Sequence, residues 1–221
     1  MIKKEPHFSN VTLGFLSGAQ ETVAALQRCP DWLQKPWDFQ HIVFGGVDSL
    51  VHLKAAHRLA QQEPVRKLGE PEGKLVSEGA VFLRFMRDSF PKLDFHTPSE
   101  GAISGYWVTN RRLSLKDEQR WYQGIKQYTG FRDMVELNTQ RWLGHFGAAH
   151  FPLQLALGLH WREALMALGS EAPASASVHL FGEHNGQPHH LATIRQKTSQ
   201  LFRHSPKSGK DLDCFAPLAK T

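Results

Sequence analysis

Cysteine is scarce in this chain, and a long apolar run is missing. There are 2 cysteines among 221 residues, and Cys29 and Cys214 match no metal-binding spacing. Free thiols in a reducing compartment are the simpler account of them. The longest apolar run, near 151–159, is interrupted by Gln154 and falls short of a bilayer span. Because the first residues, MIKKEP, also lack the apolar segment of a signal peptide, we expect a cytoplasmic protein with no membrane partner.

The motifs of common enzyme classes are lacking as well. The chain contains neither Gly-x-Ser-x-Gly nor His-Glu-x-x-His, and Gly45-Gly46 lacks the lysine of a phosphate loop. Several of the 13 histidines lie near one expected turn, at His179, His184, His189 and His190. Only one carboxylate, Glu183, accompanies them, which does not complete a ligand set. We therefore predict no catalytic residue, no cofactor and no metal site.

The composition is that of a soluble globular protein with a basic balance. Hydrophobic residues make up 41% of the chain and charged residues 21%. The formal net charge is +5 and the pI is about 9.3. This balance favours a polyanionic partner such as a nucleic acid.

The segment 106–143 organises the rest of the chain. It opens with strand-favouring residues over 106–109. Ser114 is an N-cap type of residue, and the helix after it carries an apolar stripe at the helical period up to Gly130, which is placed to end it. We expect a second helix from about Phe131. Its inner side would carry Met134, Val135, Leu137 and Trp142.

One strand followed by two helices is the pattern of a ribbon-helix-helix motif. A lone strand leaves its backbone groups unpaired, so the expected strand would pair antiparallel with its copy from a second subunit. The resulting two-stranded ribbon fits the major groove of DNA. If Leu113 faces inward, the alternate residues of opposite parity face the bases, namely Val108, Asn110 and Arg112. Arg111 shares the inward parity of Leu113, and a register displaced by one residue stays open.

The expected DNA contacts follow from this geometry. Arginine suits guanine and asparagine suits adenine, each through a bidentate contact. Backbone amides at the start of the second helix, around Phe131 and Arg132, would meet a phosphate, and so would the side chain of Lys116. The predicted DNA contacts are Val108, Asn110, Arg111, Arg112, Ser114, Lys116, Phe131 and Arg132. The competing interpretation is an ordinary strand followed by a helical hairpin.

The flanking regions complete the predicted organisation. We divide the chain into an N-terminal α/β region, the ribbon-helix-helix motif, and a C-terminal helix, hairpin and basic tail, at 1–104, 105–145 and 146–221. Helices are predicted at roughly 19–28, 47–62 and 74–90. A helix over 152–168 is apolar nearly all round and should be buried, and Asn185-Gly186 predicts a hairpin. The tail from Arg195 either contacts phosphates or is simply solvated. The predicted fold class is α+β, mostly helical, with an intersubunit two-stranded antiparallel ribbon at its centre.

A family resemblance agrees with this interpretation. The stretch 106–143 resembles the ribbon-helix-helix DNA-binding motif, and the layout around it resembles the AcaB-type transcriptional activators of conjugative plasmids and integrative conjugative elements. The segments that carry the likeness are NVTLGFLSGAQETVAALQ, HIVFGGVDSLVHLKAAHRLAQQ and GFRDMVELNTQRWLGHFG. The resemblance implies a regulator, encoded on a plasmid or mobile element, that dimerises on operator DNA and switches on conjugation genes.

The sequence therefore predicts a homodimeric, sequence-specific DNA-binding transcriptional regulator rather than an enzyme. Its operator on double-stranded DNA should be pseudo-palindromic, because the two subunits are related by a two-fold axis. Two alternatives stay open. One is an accessory subunit of a mobile element or secretion system that does not bind DNA, and the other is a histidine-dependent nuclease.

Overall fold

The computed structural model of this chain describes residues 18–34, 41–62, 65, 75–86, 90–99, 105–111, 115–129, 134–167, 177–184 and 186–195. The helices are α1 (Gly18–Gln34), α2 (Leu53–Gln62), α3 (Leu115–Thr129), α4 (Thr139–Leu143) and α5 (His150–Ala167), with a 3₁₀ turn at Gly147–Ala149. The strands are β1 (His41–Ser49), β2 (Glu78–Met86), β3 (Lys92–Asp94), β4 (Gly105–Thr109), β5 (Met134–Asn138), β6 (Ser177–His184) and β7 (Gln187–Arg195). No helix among these residues is long and apolar enough to cross a membrane.

Strand β4 lies inside a mixed five-stranded sheet with the order β3-β7-β6-β4-β5. It pairs in parallel with β5 on one side and with β6 on the other. Strands β6 and β7 pair antiparallel, and β3 pairs antiparallel with β7. The sheet thus takes strands from all three of the expected segments 1–104, 105–145 and 146–221.

Helices α3 and α5 cover opposite faces of this sheet, because successive side chains of a strand point to opposite sides. Val108 of β4 belongs to a core cluster with Leu155 of α5 and Leu180 of β6. The neighbouring Trp107 belongs to a second cluster, in which it is joined by Trp121 of α3. A strand buried on both faces in this way reads as a continuous apolar run, which explains the sequence YWVT.

Strands β1 and β2 form a separate two-stranded antiparallel sheet. Two strands alone are marginally stable in water, so this sheet needs a packing partner. Its buried residues Phe44 and Phe85 provide one side of the contact, and Phe151 of α5 meets the Phe44 ring edge-on at 6.3 Å. Helix α5 therefore contacts both sheets.

The predicted intersubunit ribbon is wrong. Both edges of β4 are occupied by strands of the same chain, which leaves no edge for a second copy. Its residues Trp107, Val108 and Thr109 are buried, so none of them can lie in a groove of DNA. The fold is α+β with a mixed sheet at its centre, and the ribbon-helix-helix fold class with its mostly helical content is corrected accordingly.

Two predicted helices are also strands. The second helix expected after Gly130 is replaced by β5 and the short α4, and the helix expected over 74–90 is replaced by β2. The helix expected over 47–62 is confirmed only from Leu53, because β1 occupies its first part. Three local predictions are confirmed: the helix after Ser114 is α3, the buried apolar helix is α5, and the hairpin is β6–β7 with Gly186 at φ 76°.

Candidate functional site

The parallel strands end at one edge of the sheet, and polar residues collect there. The chain passes from β4 to its neighbour β5 through α3, and from β5 to the opposite neighbour β6 through α5. Because these two connections lie on opposite faces of the sheet, β4 stands at a topological switch point, where ligands of open α/β sheets commonly bind. The polar residues at this edge are Thr109, Asn110, Arg111, Asn138, Thr139 and Gln140.

Arg111 joins three elements at this edge. Its Nε donates to Oε1 of Glu136 on β5 at 2.8 Å, and its Nη1 donates to Oε1 of Glu118 on α3 at 3.0 Å. The guanidinium carbon also lies 5.3 Å from the ring centre of Tyr122. Burial lowers the pKa of Arg111, but the hydrogen bond and charge of Glu136, aided by Tyr122 and Glu118, outweigh burial and raise it. The guanidinium is thus engaged by two carboxylates rather than presented to a partner.

A buried set of hydrogen bonds ties the end of β4 to α5. The hydroxyl of Thr139 donates to the carbonyl of Thr109 at 2.8 Å and lies 2.8 Å from Nε2 of His150. Since the amide of Phe146 donates to Nδ1 of His150, the hydrogen of that ring belongs on Nε2. Gln154 donates to the carbonyl of Phe181 at 2.9 Å. These polar groups are satisfied inside the protein and act in packing.

Two carboxamides at the same edge are not satisfied in this way. Gln140 is 1% exposed, and neither its Nε2 nor its Oε1 has a hydrogen-bond partner among the described residues. The Oδ1 of Asn110 is buried without a partner in the same part of the chain. An unsatisfied buried polar group costs about 1–3 kcal/mol. Both side chains therefore offer hydrogen-bonding groups to a water molecule or a small polar ligand.

The surface of α3 that points away from the sheet carries a different chemistry. Trp121 and Ile125 are buried against the sheet. On the opposite side are five exposed residues, which we call the α3 outer face: Gln119, Arg120, Gln123, Lys126 and Gln127. The acidic Glu118 is only partly exposed and bonds to Arg111. Over the side chains of α3 that are described, this face thus contains cations and carboxamides and no carboxylate, while Tyr122, which is also exposed, lies beside Arg111.

Two of the four clustered histidines, His179 and His190, come together, and the side chain of His184 is outside the described part. His179 Nδ1 lies 2.9 Å from the hydroxyl of Thr193, and the same hydroxyl lies 2.9 Å from Nε2 of His190. Ser177 Oγ continues the chain at 3.0 Å from Nε2 of His179. Burial lowers the pKa of His190 to about 4, so that ring is neutral at pH 7. In the described ranges, no group of three or more His, Cys, Asp or Glu side chains is placed to hold a metal ion.

The predicted DNA contacts that fall within the described residues do not form an exposed base-reading strand. Val108 is buried under α5, Arg111 is held by Glu136 and Glu118, and Asn110 lies at the carboxyl end of β4. Lys116 falls in the first turn of α3, but its side chain is outside the described part. Four further predicted contacts lie outside the described residues, namely Arg112, Ser114, Phe131 and Arg132.

The α3 outer face was missed at the level of sequence, although a signal for it was present. Gln119 and Gln123 are one helical turn apart, and Arg120 and Lys126 flank them on the side opposite to Trp121. The lack of acidic residues on that side of the helix was the signal that would have identified this face. No protein-family model, curated protein or solved structure matches this chain, so the interpretation of both sites depends on geometry and chemistry alone.

Proposed function

We propose that this protein binds double-stranded DNA in the cytoplasm as a homodimeric transcriptional regulator, and that α3 is the element that enters the major groove. The observation that carries the proposal is the α3 outer face, which is exposed, cationic and free of carboxylates over its described side chains. The interior strand β4 has no part in base readout. The narrower expectation, activation of conjugative transfer genes, depends on the resemblance to AcaB-type activators and is proposed on that ground only.

The size and chemistry of α3 fit this role. A helix of 15 residues is about 22 Å long, and the major groove admits a helix of this kind. Gln119 and Gln123 can each make a bidentate contact with adenine, and Arg120 can do so with guanine. Lys126 near the end of the helix suits a phosphate. The net charge of +5 adds general attraction to the DNA backbone.

The sheet gives α3 the rigidity that readout needs. The Trp121 side chain packs edge-on against Phe181, with ring centres 6.4 Å apart, and Tyr128 packs against the same ring at 5.3 Å. Near its start, α3 is bonded to Arg111 of the sheet edge through Glu118. Base contacts made from a helix that is anchored in this way are held in a fixed register, which is what specific recognition requires.

Selection of bound sequences from a random DNA pool, followed by gel shifts, tests the proposal. The parent chain should select a two-fold motif, and Arg120→Ala should weaken its binding by about 1–3 kcal/mol and relax one base position. Lys126→Ala should weaken all sequences alike and reduce the salt slope by about 0.9. Arg58→Ala, which removes an exposed arginine from α2, is the matched control and should bind like the parent. Equal binding by Arg120→Ala and the parent would contradict the proposal.

A second candidate function is the binding of a small polar ligand at the carboxyl ends of β4 and β5. It is favoured by Gln140, whose buried carboxamide lacks a partner in the described chain. Thermal unfolding in the presence of nucleotides and amino acids provides the test. A probe that raises the Tm of the parent but not that of Gln140→Leu would support this function, and the absence of any shift would contradict it.

A further inference from the structure

The β1–β2 sheet exposes apolar side chains on the side that faces away from α5. Alternate residues of the two strands form this surface, which we call the outer face: His41, Val43, Gly45, Val47, Ser49, Glu78, Ala80, Phe82, Arg84 and Met86. Three of its largest apolar members stand well clear of the rest of the chain, since Val43 is 65% exposed, Val47 63% and Phe82 61%. Antiparallel sheets with one solvated face normally carry polar residues there. An apolar face of this kind marks an interaction surface.

The outer face is held on a fixed support. The opposite face of the sheet is buried against α5 through Phe44 and Phe85. A carboxylate oxygen of Asp48 accepts a hydrogen bond from the amide of Ala148 at 2.9 Å, which fixes one end of β1 to the 3₁₀ turn. A side chain at Gly46 would collide with the carbonyl of Ala148, so the strand lies directly on that turn. The surface is therefore preformed.

Charges of opposite sign lie towards the two ends of the outer face. Arg84 lies near one end, where its Nη2 is 3.0 Å from Nε2 of His41. Glu78 lies at the other end, where its carboxylate accepts from the hydroxyl of Ser49 at 2.9 Å. A partner that reads this surface must present apolar groups in the middle and the reverse order of charges. The same surface turned end to end has that arrangement.

We infer that the occupant of the outer face is the outer face of a second copy, related by a two-fold axis that crosses the strands at the level of the Gly46–Val81 pair. The residues of that pair stand opposite each other in the register of the two strands, at the midpoint between Arg84 and Glu78. The axis reverses the strand direction, so β2 lies over β2 of the second copy. Arg84 of each chain then meets Glu78 of the other, and these two contacts are equivalent by symmetry.

The same axis matches large side chains with small ones. Phe82 of one chain lies over Ala80 of the second copy, and Val47 lies over Gly45. Such pairing lets two sheets approach to the usual separation of about 10 Å. Nine-residue strands give a contact about 30 Å long.

This inference deepens the proposed function, since a two-fold operator needs a dimer, but it can be tested without DNA. Sedimentation velocity of the full chain should show a dimer. The variants Glu78→Arg and Arg84→Glu should each raise the dimer Kd at least tenfold, because each places like charges together across the axis. An equal mixture of the two variants should restore a dimer with the affinity of the parent, since both contacts then pair opposite charges. Each variant must keep the circular dichroism spectrum of the parent.

The mixing experiment distinguishes a contact between two chains from a change within one chain. Within one chain Arg84 and Glu78 lie at opposite ends of the surface, so rescue by mixing requires two chains. Met166→Lys, which adds a charge at an exposed apolar position of α5, is the control and should leave the dimer intact. A monomeric parent, single variants that dimerise like the parent, or a mixture that stays monomeric would each overturn the inference. If the parent chain formed the dimer but did not bind DNA, the proposed function would be overturned instead.

Discussion

Replacing Arg111 with methionine should destabilise the protein without removing a DNA contact. The side chain of Arg111 is 7% exposed, whereas its partners Glu136 and Glu118 are 20% and 38% exposed. Breaking a fully buried ion pair costs about 3–5 kcal/mol. Because solvent screens Glu118 and partly screens Glu136, we expect a loss of about 2–4 kcal/mol in the free energy of unfolding. Urea denaturation followed by circular dichroism measures this loss.

A double variant shows whether the loss comes from the uncompensated carboxylate. Arg111→Met combined with Glu136→Met removes both charges of the shorter pair, and it should recover most of the stability lost by the single change. Arg120→Met, on the exposed side of α3, should change the free energy of unfolding by less than about 0.5 kcal/mol. If Arg111→Met were as stable as Arg120→Met, the assignment of Arg111 to the packing of β4, β5 and α3 would be refuted. The ribbon-helix-helix hypothesis, in which Arg111 contacts DNA, predicts that these two variants are equally stable.

Three further predictions concern stability. The pKa of His190 falls from 6.5 to about 4 on folding, so the unfolded chain binds more protons than the folded chain between these pH values. The free energy of unfolding should therefore decrease as the pH falls from 6.5 to about 4, and urea titrations of His190→Gln should show a weaker decrease. Gly186→Ala should cost about 1–2 kcal/mol, because an alanine is strained at φ 76°; an unchanged urea midpoint would rule this out. Gln154→Leu should cost about 1–3 kcal/mol by thermal or urea unfolding, since the buried carbonyl of Phe181 loses its donor, and a neutral result would show that water replaces the amide.

Elements with a complete local signal could be predicted from the sequence. The sequence of the α3 region contains an N-cap type of residue, an apolar stripe and a glycine suited to end a helix, and the sequence of the hairpin region contains Asn-Gly. The pairing of β4 had no such signal. Its partner β6 begins at Ser177, far along the chain, and nothing within 106–113 distinguishes an interior parallel strand from one that waits for a second subunit.

The strand β2 was mistaken for a helix because of its outer face. A half-buried strand alternates apolar and polar residues, but β2 has apolar side chains on both faces, with Phe85 inward and Phe82 outward. That sequence also places Phe82, Phe85 and Met86 at the spacing of a helix. The polar cluster at the carboxyl ends of β4 and β5 could not be predicted from the sequence either. Glu118 and Glu136 become partners of Arg111 only when α3 folds back over the sheet, a distance that no motif encodes.

Helix α5 contributes to the cores of both sheets. Its Phe151 packs against Phe44 of β1, and one turn later Leu155 is buried in the same cluster as Val108 of β4. The β1–β2 sheet therefore cannot detach without leaving an aromatic ring of α5 in water, and α5 cannot loosen without uncovering the central strand. We therefore expect the two sheets to unfold as one thermodynamic unit in a single cooperative transition, so the outer face of the β1–β2 sheet should persist only while the core of the five-stranded sheet is intact.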